Sequence, residues 1–268
     1  MTRRPPVALT IAGTDSGGGA GVGADLKTFE AHGVWGTCAV VAVTAQNTVG
    51  VQAFETVSTA LVRAQVDSVA SDIGVDAAKT GMLASAELVR VVAEAVRENG
   101  IGRLVVDPVL VSKHGNSLLA DDAVDALREA LLPLATVVTP NLPEAARLVG
   151  FPVEDRAAME AAGLALVAFG PAVALVKGGH LGGDSSPDCL VVAGESPVWL
   201  EGARIPGRHT HGTGCVLSAA VCAELARGMD PADACVAARH FCQRAIAAGV
   251  ALGAGVGPVN PGRERSGG

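Results

Sequence analysis

Tyrosine is absent from the 268 residues, and the other aromatics amount to five Phe and two Trp. The core must therefore be built from Ala, Val and Leu, whose small side chains let helices and sheets approach closely. Charged residues make up 18% of the chain, the net charge is −7, and no basic stripe interleaved with aromatics occurs. That excludes the electrostatic footprint of a nucleic-acid binder. No uncharged apolar stretch approaches the roughly 20 residues of a membrane span. "MTRRPP" leads straight into "VALTIAG" without the apolar core of a secretory signal. The six cysteines, at 38, 189, 215, 222, 235 and 242, form no C-x-x-C pair and no regular framework. Reduced thiols and a cytoplasmic location are the expectation. A G-x-x-x-x-G-K-[ST] pattern is also missing, so any nucleoside triphosphate must be held by something other than a P-loop.

Glycine, by contrast, is abundant, at 34 residues. A chain of this length buries roughly 75% of its unfolded surface, which suits one domain over 1–260 followed by a polar, glycine-rich tail, 261–268, expected to fray. Short β-rich runs alternate with helical patterns. Strands are predicted at 7–13, 37–47, 103–110, 136–141 and 172–180, and a hairpin or meander at 188–205. Helices are predicted at 23–33, 59–71, 85–99, 121–131, 143–149, 155–169, about 213–227 and 231–251. This alternation implies an α/β fold with a mainly parallel sheet covered on both faces. Ligands of such folds gather beyond the carboxyl ends of the strands. The segments lying there are "TDSGGGAG", "AQN", "KTGM", "DPV", "TPNLPE", "KGGH" and "HTHGTGC", which hold most of the chemically useful residues.

"TDSGGGAGVGAD" contains G-x-G-x-x-A at 19–24, between a strand and a helix. A dinucleotide site would also require an acidic residue at the end of the next strand, and that strand ends in Thr44, Ala45, Gln46 and Asn47. The glycines fit either a tight turn or a backbone that approaches a ligand. Asp25, expected on the first helical turn, either faces the cleft mouth or serves as an acid favoured by the helix dipole. In "HTHGTGC", Gly212, Thr213, Gly214 and Cys215 stand at the junction into a helix near Val216. Free amides there suit the equatorial oxygens of a phosphoryl group, or the turn is a plain glycine cap. His209, His211 and Cys215 also permit a zinc reading, without a second ligand pair nearby. Asn141 and Glu144 in "TPNLPE" can steer Mg2+ through its waters or form a helix capping box. Asp107 closes an apolar strand, where a carboxylate is costly unless a cation meets it. Lys177 ends another strand, reaching for phosphates or snorkelling to solvent.

Taken in order, "LTIAGTDSGGGAGVGADLKTF", "VTAQNTVGV", "KTGML", "VVDPV", "TPNLPEA", "VKGGH", "HGTGC" and "GVGPVN" resemble the ribokinase superfamily, and within it the hydroxymethylpyrimidine/phosphomethylpyrimidine kinases of thiamine biosynthesis. The resemblance extends from about residue 7 to 260. It implies a three-layer α/β/α domain with a small β flap beside the cleft, a homodimer, and ATP and Mg2+ as cosubstrate and metal. The implied reaction is phosphorylation of 4-amino-5-hydroxymethyl-2-methylpyrimidine and then of its monophosphate. By the same resemblance Gln46 hydrogen-bonds the pyrimidine, Asp25 is a substrate-side carboxylate, and Gly13, Ala20, Met82 and Val109 wall the ring. Asn141, Glu144, Lys177 and Gly212 to Cys215 take the nucleotide, magnesium and anion-hole positions, with Asp107 beside the metal. The chain departs from its relatives at Ser16-Gly17, where Pro-Ser is frequent, at "VSKHGN" (111–116), and at His209, where asparagine is frequent. Pyridoxal kinase, of the same superfamily, and a nonenzymatic nucleotide-binding regulator are the alternatives.

Most ribokinase-like sugar kinases end the anion motif in an aspartate that acts as base. Here the position is Cys215. A helix N-terminus lowers some thiols to a pKa of about 7, which predicts a thiol half ionised at neutral pH. Packing of a small residue is the other explanation of a cysteine there.

Overall fold

Every residue of Val7–Gly13 (β1) is buried, as a strand covered on both faces requires. A computed structural model of the chain describes residues 4–109 and 121–262. The positions His114 and Asn116 singled out in the sequence, and the tail from 263 onward, lie outside the described residues. From β1 the chain passes through α1 (Gly21–Ala31) to β2 (Trp35–Asn47), β3 (Gly50–Thr56), α2 (Thr59–Asp72) and β4 (Ala77–Thr80). Then follow α3 (Ala86–Glu98), β5 (Leu104–Val106), α4 (Asp121–Ala126), β6 (Val137–Val138), α5 (Leu142–Val149), α6 (Arg156–Ala168) and β7 (Val173–Val176). The last elements are β8 (Asp188–Val192), β9 (Val198–Leu200), α7 (Thr213–Ala226) and α8 (Pro231–Ala247).

The strands form one sheet in the order β3-β2-β1-β4-β5-β6-β7-β8-β9. From β2 to β7 the pairing is parallel, and β3, β8 and β9 add antiparallel edges. Alternating strand residues feed two cores. Leu9, Ile11, Leu104 and Val106 pack with α2 to α6, while Ala8, Val105 and Leu175 pack with α1, α7 and α8. This is the expected three-layer α/β/α architecture.

Two elements were not read as strands in the sequence. Every residue of β3 is half-buried or exposed, so it carries no apolar pattern; its partner β2 defines it. β4 has four residues with a lysine among them, too few for a periodic signal. The β2–β3 hairpin is the small β flap. β5 and β6 are shorter than predicted, and α7 starts at Thr213, which places Cys215 inside its first turn.

After β1 the chain crosses to β2 on one side, and after α2 it returns to β4 on the other. The loop after β1 leads into α1 on one face of the sheet, and the loop after β4 leads into α3 on the opposite face. Loops that diverge in this way leave a crevice at the carboxyl ends of the strands.

Candidate active site

That crevice holds a cavity of about 230 Å³. Among its lining residues are Gly13, Ala20, Gln46, Met82, Val109 and Asp107, together with Asn141, Glu144, Lys177 and Gly212 to Cys215. The sequence-predicted candidates thus converge on one place, with the exception of Asp25. A second cavity of about 370 Å³ lies alongside, lined by His180, Asp188, Arg204, Arg239 and Gln243. Lys177 and Thr213 line both. The two therefore form one cleft, divided by the start of α7.

Gly212 caps α7 with φ +81°. A Cβ there would lie 1.8 Å from the Gly19 carbonyl oxygen, so only glycine fits both the backbone and the space. The first-turn amides of α7 have no partner within the helix, and the helix dipole adds positive potential at its start. The divider between the cavities can therefore receive an anion.

Asp107 follows β5 and is 2% exposed. Lys177 Nζ donates to its Oδ1 at 3.1 Å, and the hydroxyls of Thr139 and Ser218 donate at 3.2 and 3.1 Å. The expected cation is therefore Lys177. Burial would raise the Asp107 carboxyl, but Lys177 and then Lys79 outweigh it and hold its pKa below the usual range. Burial likewise disfavours the Lys177 ammonium, and Asp107 and Glu144 keep it charged. Asn141 and Glu144 form the full capping box at the start of α5. Glu144 Oε2 also lies 3.9 Å from Lys177 Nζ, so the cap is simultaneously part of the site.

Asp107 and Glu144 present hard carboxylate oxygens around Lys177. That donor set fits Mg2+, which keeps several waters and takes one or two carboxylates plus phosphate oxygens. Zinc fits less well. His209 Nδ1 accepts from the Gly257 N–H at 3.1 Å, His211 Nε2 lies 2.7 Å from Asp15, and among the described residues no three His, Cys, Asp or Glu cluster as metal ligands.

Burial pushes the Glu144 carboxyl up to about 7, with Lys177 opposing and Asp107 reinforcing. Unfolded, a glutamate titrates near about 4.3. The native state therefore binds the proton to higher pH, and stability falls as pH rises from about 4.5 to about 7. Glu144→Gln keeps a capping residue, because glutamine also serves in that box. Its Tm is expected to decline less than wild type between about pH 5 and about pH 7.5. Parallel Tm–pH curves for the two proteins would rule out burial of this carboxylate as the source.

Two expectations need correction. Asp25 is on the second turn of α1 and fully buried, away from the cleft mouth. It accepts from Lys79 Nζ at 3.1 Å through both oxygens and from the Thr10 hydroxyl at 2.6 Å. The contact is with Lys79, which is 0% exposed and itself lines the cavity. Cys215 lines the cavity too, but its thiol is not acidified. Burial pushes it up to about 11, with Lys79 and the Gly21 amide pulling down, and Asp25 and Asp107 pushing further up. The Gly21 N–H donates to Sγ at 3.4 Å. Gly21 has φ +54°, and a Cβ there would lie 2.3 Å from the Gly13 carbonyl oxygen. Desolvation exceeds the helix-end effect, and the neighbouring carboxylates of Asp25 and Asp107 add to it.

Three site groups had no role assigned from sequence. Lys79 lies within the quoted "KTGM"; its only signal is a charge inside a strand. Asp15 gathers the N–H groups of Gly17, Gly19 and Ala20 at 2.8, 3.2 and 2.9 Å. With His211 it ties the loop after β1 to the anion turn. Phe54, from the unrecognised β3, adds an apolar wall.

A family model described as phosphomethylpyrimidine kinase matches residues 15–260. The hydroxymethylpyrimidine/phosphomethylpyrimidine kinase of Streptomyces coelicolor is 52% identical over 258 residues, covering 96% of this chain and 95% of that one. Among solved structures, an ADP complex of Bacillus subtilis pyridoxal kinase superposes with a TM-score of 0.91 at 39% identity, covering 97% of this chain and 99% of that one. A phosphomethylpyrimidine kinase from Clostridium difficile 630 has a TM-score of 0.79 at 38% identity, covering 90% and 99% respectively.

Proposed function

This chain belongs to the phosphomethylpyrimidine kinase family and is an ATP-dependent phosphotransferase; from that premise we propose how its cleft phosphorylates 4-amino-5-hydroxymethyl-2-methylpyrimidine and then the monophosphate, giving the pyrophosphate for thiamine biosynthesis. The observation that carries the reading is the pair of cavities meeting at Lys177 and Thr213, with Cys215 facing the smaller one. ATP occupies the larger cavity and directs its γ-phosphoryl to the shared wall. The pyrimidine occupies the smaller.

The amides of Gly212, Thr213, Gly214 and Cys215 receive the equatorial oxygens of the transferring group, where most of the transition-state charge resides. Lys177 bridges those oxygens to Asp107. Glu144 and Asp107 would hold Mg2+, which would supply neutralisation of phosphate charge. Met82 and Val109 enclose the ring, and Gly13 and Ala20 let the backbone come close to it. Gln46 offers an amide that donates and accepts together, as an aminopyrimidine edge requires. Asp25 acts at one remove, as the counter-ion of Lys79. The thiolate form of Cys215 takes the hydroxymethyl proton late in the transfer and becomes the thiol.

Gln46→Leu is expected to raise the KM for the pyrimidine at least tenfold, by leaving polar ring edges unpaired at roughly 1–3 kcal/mol each, with KM for ATP nearly unchanged. An equal rise for both substrates would remove Gln46 from the acceptor site. Pyridoxal phosphorylation is the second reading, favoured by the likeness to the Bacillus subtilis pyridoxal kinase. ADP release with ATP, Mg2+ and either the pyrimidine, its monophosphate or pyridoxal separates the two, and the pyrimidine should win in kcat/KM. A nonenzymatic regulator would release none.

We place the enzyme in the cytoplasm as a homodimer. The flap exposes Val43, Val49 and Phe54, apolar area that a second copy would cover. Among the described residues no helix is long and apolar enough to cross a membrane.

A further inference from the structure

The pairing of β1 with β2 outlasts β1 itself, because side chains continue it. The backbone ladder changes register between Ala12 and Gly13. One residue on, the Thr14 N–H donates to the Ala42 carbonyl at 2.8 Å. The Thr44 N–H then donates to Thr14 Oγ1, and the Thr44 hydroxyl donates to the Thr14 carbonyl, both at 3.0 Å. Two residues further, the Gln46 N–H donates to Ser16 Oγ, and the Ser16 hydroxyl donates back to the Gln46 carbonyl, both at 2.7 Å. The repeat of two is that of a strand. A hydroxyl donates and accepts at once, so Ser16 satisfies both backbone groups of one residue.

That residue is where β2 and β3 also slip register, between Ala45 and Gln46. The extra residue is Gln52 of β3, opposite Gln46, and a bulge of this kind re-aims a side chain; the Gln46 N–H and carbonyl turn the other way, to the side where β1 has ended and Ser16 takes its place. Gln46 lines the acceptor cavity, whereas Ser16 is exposed and outside its lining. We propose that Ser16 is a positioning residue: its hydroxyl holds the backbone of Gln46 at the bulge and thereby aims the glutamine amide at the acceptor ring. This rests on the pyrimidine-kinase reading and deepens it, assigning acceptor recognition to a residue that never touches the acceptor.

Steady-state kinetics of the full chain test it. Ser16→Ala is expected to raise KM for the pyrimidine about three- to tenfold, with kcat and KM for ATP within about twofold of wild type. Ser16→Thr, which keeps the hydroxyl, is expected to restore the wild-type KM. A purely structural role for Ser16 would move both KM values together. An unchanged pyrimidine KM in Ser16→Ala, a parallel rise for ATP, or no recovery in Ser16→Thr overturns the proposal and leaves the assigned reaction standing. Absence of pyrimidine phosphorylation by the wild-type chain overturns both.

Discussion

Cys215→Ala is expected to fold normally and to lose about 10²-fold in kcat for transfer to the hydroxymethyl group, the low end of a general base's contribution because the thiol's pKa lies well above the operating pH. Transfer onto the monophosphate should fall by less than about tenfold, because a phosphate monoester with a second pKa near about 6 is already ionised and has no proton to surrender. The two half-reactions thus serve as each other's control. Positioning and the amide pocket act on both; the thiol acts on one. With the thiol pushed up to about 11, the thiolate at neutral pH is on the order of one in ten thousand. The first transfer by the wild-type enzyme should therefore keep accelerating with pH above neutrality, and Cys215→Ala should abolish that rise. Equal losses in the two transfers would reduce Cys215 to a packing residue.

Lys79→Met is expected to cost about 3–5 kcal/mol, because it leaves Asp25 as a buried charge without a partner. For a chain of this size that lowers Tm by roughly ten degrees. Pairing it with Asp25→Asn should recover most of the loss. Asparagine can keep the contact with Thr10, and neutral groups of similar volume often replace a buried ion pair without penalty. Thermal melts of the two single variants and the double variant close the cycle. A double variant no more stable than Lys79→Met would show that the lysine supports the fold through packing rather than charge. Burial alone would drive the proton from Lys79, but Asp25, then Cys215 and Asp107, outweigh it and raise its pKa. Fold and site are coupled at this ammonium: the carboxylate of Asp25 on α1 keeps it charged, and the charge it keeps favours the thiolate of Cys215 at the start of α7.

Much of the site was legible because its position follows from the kind of fold. Alternating strands and helices demand a parallel sheet, and such a sheet presents its loops along one rim. Asp107, Asn141, Glu144, Lys177 and the glycine turn at 212–214 could each be placed there one loop at a time. Each also had a local signature: a charge closing an apolar strand, a capping box, or glycines before a helix. Gln46 was legible as the polar end of a strand, but the hydroxyl that holds it lies 30 residues earlier.

The chain's own order of residues was enough to determine the layering, the rim on which chemistry occurs and the glycines that let backbone approach a phosphate, since all of these depend on periodicity and local backbone freedom. Folding alone decided which charges meet. Asp25 finds Lys79 across 54 residues and Asp15 finds His211 across 196, and those meetings turn an expected cleft-mouth acid into a buried counter-ion. Packing also decides the protonation of Cys215, through its burial and then through Lys79, Asp25 and Asp107, because a pKa responds to desolvation and to every nearby charge at once, and neither has a value until the chain is packed.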